Sequence, residues 1–177
     1  CGSRAVILYP HVPTASRAIA EERAGARGLT NITFMTGSLL DLPALNLGRF
    51  DYIDCCGVLH HLTDPPAGLA ALTSVLAPDG GMGLMVYGAL GRTGVYPAQA
   101  MLRTLAAYAP APALTPAAQL ATARDLLKQL PVTNWLRRNP AIGDYLAGGD
   151  AGLHDLLLHA QGRAYSVAEL AELGQGA

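Results

Sequence analysis

With 177 residues, 51% of them hydrophobic and only 14% charged, the chain is long and apolar enough for one globular domain with a real core, and disorder is excluded. A formal net charge of −1 offers no polybasic footprint for nucleic acid or an anionic membrane surface. No apolar run reaches the roughly 20 residues of a membrane span, and no signal peptide is visible.

Cysteine usage points the same way. Cys55 and Cys56 are adjacent, which makes no disulfide framework and predicts a reducing, cytoplasmic setting. The chain opens on Cys1 and not on Met, so a piece of a longer protein is expected.

Arg4 to Tyr9 (RAVILY) is a compact apolar run that predicts a buried strand. Thr14 and Ser16 supply capping chemistry for a helix over Ser16 to Arg27, with Gly28 as its C′ residue. Glu21, Glu22 and Arg23 form its solvated face. Asn31 to Thr36 (NITFMT) reads as a second strand, ended by Gly37-Ser38, and Leu39 to Pro43 as a loop.

Phe50 to Cys56 (FDYIDCC) reads as a strand buried on both faces of a parallel sheet, with Asp51 and Asp54 in structural roles. Gly57 marks the strand's carboxyl edge, where ligands bind in open α/β sheets, and His60 and His61 gather there. Pro66 to Leu76 is amphipathic, Pro78-Asp79-Gly80-Gly81 is turn chemistry, and Met82 to Tyr87 is one more strand. Strand, helix, strand, helix, strand implies right-handed crossovers and a Rossmann-like parallel sheet with helices on both faces.

From Gly88 the pattern changes. Six prolines cut the chain into short helical pieces: one around Met101, Leu102 and Leu105, another around Leu120, Leu127 and Leu130, a third around Leu153, Leu156 and Leu157. No strand pattern is visible there. This helical insertion reads as a lid, or equally as plain helical packing or an oligomer surface. Ser166-Val167-Ala168-Glu169 is a capping box that opens a final helix.

Two motifs in register carry a family resemblance: Phe50-Asp51-Tyr52-Ile53 before Val58-Leu59-His60-His61-Leu62, and Leu76-Ala77-Pro78-Asp79-Gly80-Gly81 before a strand. With Ser16-Arg17-Ala18-Ile19-Ala20 and Asn31-Ile32-Thr33-Phe34, they make the region from Val6 to Tyr87 resemble the class I S-adenosylmethionine-dependent methyltransferases. Leu157 to Gln161 and Arg163 to Tyr165 are similar to a subgroup with a helical insertion before the last helix. The resemblance implies an incomplete methyltransferase fold: an S-adenosylmethionine-binding core over 1–88, a helical lid over 89–165, and the start of a final core helix over 166–177.

The same resemblance implies cofactor contacts at Gly2, His11, Gly37, Ser38, Leu39, Cys55, Cys56 and Gly57. His11 stands where the family has a ribose-binding acid, and Ser38 where it often has an adenine-reading Asp. An uncharged hydroxyl is the weaker acceptor. Cys1-Gly2-Ser3 is the only remnant of the glycine-rich first loop. The sequence therefore reads as a methyltransferase trimmed at both ends, with the parent protein as the active species.

Methyl transfer from a sulfonium is an in-line displacement in which the protein aligns the acceptor, excludes water and sometimes removes a proton. His60 and His61 are the candidate proton acceptors. Consecutive residues are expected to point to different sides. Tyr87, Arg163 and Tyr165 are candidates for the substrate pocket.

No metal set is expected. Cys55 and Cys56 project to opposite faces of a strand, unlike the spacing of zinc ligands. His154 and His159, five apart, do not share a helix face and read as surface or lid positions. The methyl acceptor, a small molecule or a protein, is not named by any pattern. One rival is a non-catalytic methyltransferase-like binding module. A nicotinamide-dependent oxidoreductase is disfavoured by the lack of GxGxxG and of a Tyr-x-x-x-Lys pair.

Overall fold

The structure is a computed structural model that describes residues 4–9, 14–109, 115–143, 148–159 and 162–176. The described residues fall into two compact units. The first takes in those up to Cys55 together with 64–83, and the second 56–63 and 84–176.

In the first unit β1 (Ala5–Tyr9) pairs in parallel with β2 (Ile32–Thr36), in register from Ala5 opposite Ile32 to Tyr9 opposite Thr36. Helix α1 (Thr14–Ala26) joins them as the crossover. It begins two residues earlier than its capping pattern suggests and ends at Ala26, two residues before Gly28, whose φ of 66° is one that glycine adopts without strain. Leu39–Leu45, expected to be a loop, is a 3-10 helix. Ser38 caps it by accepting a 3.2 Å hydrogen bond from the Leu40 N–H, and Leu39 and Leu42 bury there.

β3 (Phe50–Cys56) pairs with β4 (Leu76–Met85). Phe50 N–H donates to the Val75 carbonyl and Gly57 N–H to that of Met85, so the strands run the same way. Two expectations fail here. β3 is not buried on both faces: Tyr52 is 64% exposed, and Asp51, Asp54 and Cys56 are exposed as well. The sheets among the described residues are two-stranded pairs, so a strand that would be central in a wider sheet keeps a wet face. Pro78 to Gly81 is not a turn between helix and strand but lies within β4, and Tyr87 falls in a separate short strand. Gly80 fits because a Cβ there would stand 3.0 Å from the Phe50 carbonyl oxygen.

Between β3 and β4 runs α2 (Pro65–Ser74). Asp64 caps it with a 3.0 Å bond from the Ala67 N–H, and Pro65 stands at the first turn, where no N–H is needed. Leu69, Ala71 and Leu72 give it one buried face.

The second unit is mostly helical. β5 (Tyr87–Gly88) is followed by α3 (Val95–Ala107), α4 (Pro116–Gln129), α5 (Trp135–Arg138) and α6 (Gly149–Leu153). α6 continues into a π turn, His154–Leu158. Val95, Leu102, Ala123, Leu136, Leu153 and Leu156 make its core, each no more than 5% exposed. Of the apolar groups read from the sequence, Leu153, Leu156 and Leu157 are all buried, Leu130 is buried with Leu120 and Leu127 packed against the core, and Leu102 is buried while Met101 and Leu105 are exposed.

Sequence patterning misses one strand. β6 (Ala164–Tyr165) pairs in parallel with β5, Tyr87 opposite Ala164. A two-residue strand has no period to read, so its partner alone defines it. Helix α7 (Val167–Gln175) carries the expected capping box, with Ser166 accepting from the Glu169 N–H and the Glu169 carboxylate accepting from the Ser166 N–H. No helix among the described residues is long and apolar enough to cross a membrane.

Candidate functional site

The second unit gathers an aromatic and imidazole column from three places in the chain. The 3-10 turn Leu59–His61 gives His60 and His61, β5 and the residues after it give Tyr87 and Arg92, and the end of the π turn gives His159. The Arg92 guanidinium lies 3.6 Å over the Tyr87 ring. Tyr87 stands 3.7 Å from His60, His60 4.2 Å from His61, and His61 4.1 Å from His159, centroid to centroid.

Sequence reasoning expects His60 and His61 to diverge. In the structure the turn is anchored by Leu59, which is fully buried, and the two rings nonetheless meet, their centroids 4.2 Å apart and their planes tilted by 58°. His159, expected at a surface or lid position, is partly exposed, and its ring lies against that of His61.

Electrostatics differ along the column. His60 is 1% exposed, and neither ring nitrogen meets a hydrogen-bond partner among the described residues. Burial first, then the neighbouring His61 and Arg92, lower it to about 4, so it is a neutral ring near pH 7. The Tyr87 hydroxyl donates a 3.1 Å bond to Asp155 Oδ2. Burial and that carboxylate raise the Tyr87 phenol above its ordinary value.

Asp155 and Arg92 were not singled out by sequence reasoning. No local pattern marks Asp155, whose hydrogen-bond partner Tyr87 lies 68 residues away along the chain. The π turn that carries Asp155 is fixed from behind, where the buried Gln99 amide donates a 2.8 Å bond to the Leu156 carbonyl. Isolated π turns recur at functional sites.

Arg163 and Tyr165 form a pair of their own. The Arg163 N–H donates to the His60 carbonyl at 2.9 Å, while its guanidinium lies 4.8 Å over the Tyr165 ring and bonds Glu169 at 2.8 Å. Tyr165 is buried and Arg163 exposed, so Tyr165 packs where Arg163 meets solvent. Burial raises the Tyr165 phenol above its usual value.

The remaining candidates are placed one unit at a time. In the first unit Gly37, Ser38 and Leu39 follow β2, and Cys55 is buried at the end of β3. In the second, Cys56 is exposed, and Gly57 takes a φ of 77° that a side chain would strain. Gly2 and His11 lie outside the described residues.

Residues 12–82 match the family described as Methyltransferase domain. An uncharacterized protein of Synechococcus sp. is 40% identical over 122 residues, covering 68% of this chain and 28% of its own length. PKMT2 from Rickettsia typhi, in complex with AdoHcy, superposes with a TM-score of 0.63 at 20% identity over 95% of this chain and 33% of that one. The structure described simply as PKMT2 from Rickettsia typhi gives 0.64 at 20% identity, over 95% and 32%. The fold is thus the Rossmann-like α/β fold of a methyltransferase. The chain spans about a third or less of the length of these proteins.

Proposed function

We propose, from the premise that residues 12–82 carry a class I S-adenosylmethionine-dependent methyltransferase domain, that this chain is the cofactor-binding and lid portion of an enzyme that methylates a small molecule or a protein. The observation that carries the reading is the family match across α1, β2, β3 and α2, which spans the strand-end segments named above as cofactor contacts. A reducing, cytoplasmic setting belongs to the same reading, supported by two adjacent thiols at Cys55 and Cys56.

The residues present are compatible with the cofactor. Ser38 spends one lone pair on the Leu40 N–H, leaving a second lone pair and a proton for an adenine edge. Gly57, without a Cβ and in the left-handed region, leaves its backbone open to close approach. When bound, S-adenosylmethionine supplies an electrophilic methyl group. The chain's own task is then to orient the acceptor and exclude water.

On the acceptor side, His61 and Tyr87 suit that task better than His60. His61 is half-buried and meets Tyr87 edge-on at 5.6 Å, whereas His60 is sealed in the column. The proton-acceptor role expected of the pair therefore falls to His61. Tyr87 and Tyr165 are the acceptor-pocket residues, with Arg163 held by Glu169 at the rim.

Calorimetric titration of the protein with S-adenosylhomocysteine tests the reading. Saturable one-site binding is expected, and substitution of Gly57 by Val should abolish it while the fold is retained by circular dichroism. No heat at millimolar ligand would leave the non-catalytic binding module as the better account.

A further inference from the structure

We propose that His61, Asp155 and His159 form a binding site for a single divalent first-row transition-metal ion. The proposal rests on this geometry alone and does not need the methyl-transfer reading. One ligand atom from each residue, two imidazole nitrogens and a carboxylate oxygen, can be chosen so that all lie within 4.8 Å of one another. Ligands on one tetrahedral zinc at about 2.0–2.2 Å stand about 3.4 Å apart. Small rotations of three partly exposed side chains supply that contraction without moving backbone.

The donor set has a distinct chemistry. Two neutral imidazoles with one carboxylate suit zinc, iron(II), cobalt(II) or nickel(II), and they leave further coordination positions open. Magnesium and calcium, which prefer oxygen ligands throughout, do not fit it.

The surroundings support a built site. Tyr87 donates to Asp155 Oδ2, the kind of outer bond that orients a ligating carboxylate and leaves its other oxygen for the ion. His61 sits on a turn anchored by Leu59, which is fully buried. Asp155 sits on the π turn that Gln99 fixes, and His159 is the residue that caps that turn. Behind His61 lies the sealed, unbonded ring of His60. His159 also lines a cavity of about 300 Å³ with Leu102, Ala106, Thr122 and Leu157.

Titration of the untagged protein with zinc chloride, followed by calorimetry, tests this. One zinc per chain is expected, weakened at least about tenfold in His61→Ala, Asp155→Asn and His159→Ala and unchanged in His154→Ala. Cobalt(II) should give visible d–d bands that zinc displaces. Wild-type protein with no stoichiometric zinc uptake and no such bands overturns the proposal, and so does uptake that survives in both Asp155→Asn and His159→Ala. Circular dichroism of each variant separates lost ligation from lost folding, and the wild-type cobalt spectrum decides the matter if a variant does not fold.

Discussion

His60 shows how one buried side chain can be structural and still shape a site. Its ring is sandwiched between Tyr87 and His61, and its two nitrogens have no partner among the described residues. A buried polar group without partners carries its full desolvation cost, so an apolar residue of similar size should be tolerated. His60→Leu is expected to change stability by less than about 1 kcal/mol, the lost ring contact offsetting the relieved desolvation. His60→Ala, which leaves a hole, should cost about 2–4 kcal/mol in urea unfolding. Equal losses in both would show that the imidazole's polarity matters. The sequence exposed His60 and His61 as a pair, but not the contact between their rings, because successive residues of a 3-10 turn point about 120° apart and only the surrounding packing turns the rings together. Asp155 was less legible still, since its partners Tyr87 and His61 lie far away along the chain.

At the scale of elements, the capping box of α7 was fully readable because Ser166 and Glu169 interact locally. Ser166→Ala should cost about 1 kcal/mol of helix stability. The same box sets a pH dependence. The Ser166 N–H, the Arg163 guanidinium and the Ser166 hydroxyl hold the Glu169 carboxyl down at about 2, from an ordinary value of 4.5. A depressed carboxylate contributes stability that is complete above pH 4.5 and lost as pH falls through about 2. The Ser166 amide resonance should therefore titrate with a midpoint near 2, and a midpoint near 4.5 would show the box to be open. β6 was not readable from Ala164-Tyr165, because pairing with Tyr87–Gly88 defines it. Nor was the extended course of Pro78 to Gly81, where turn-forming residues are overridden by hydrogen bonding of the β4 ladder.

For the molecule as a whole, alternating strands and helices made the fold class legible up to Met85, since periodicity reports burial wherever an element is long enough. The helical unit was legible as leucine-rich pieces but not as a core, because its packing depends on long-range fits. Gly94 is the clearest of these. It has a φ of 90°, and a Cβ there would collide with the backbone of Trp135 and Leu136. Gly94→Ala should destabilise the helical unit by at least about 3 kcal/mol, and thermal unfolding unchanged from wild type would refute that packing. Leu136→Ala, a cavity in the same core, should cost about 2–5 kcal/mol.

The most direct test of the central claim is amide hydrogen exchange of the protein with and without S-adenosylhomocysteine. The account predicts new protection at residues 37–40 and 55–58, the two strand ends that carry Ser38 and Gly57. Exchange unchanged at both segments under saturating ligand would contradict it.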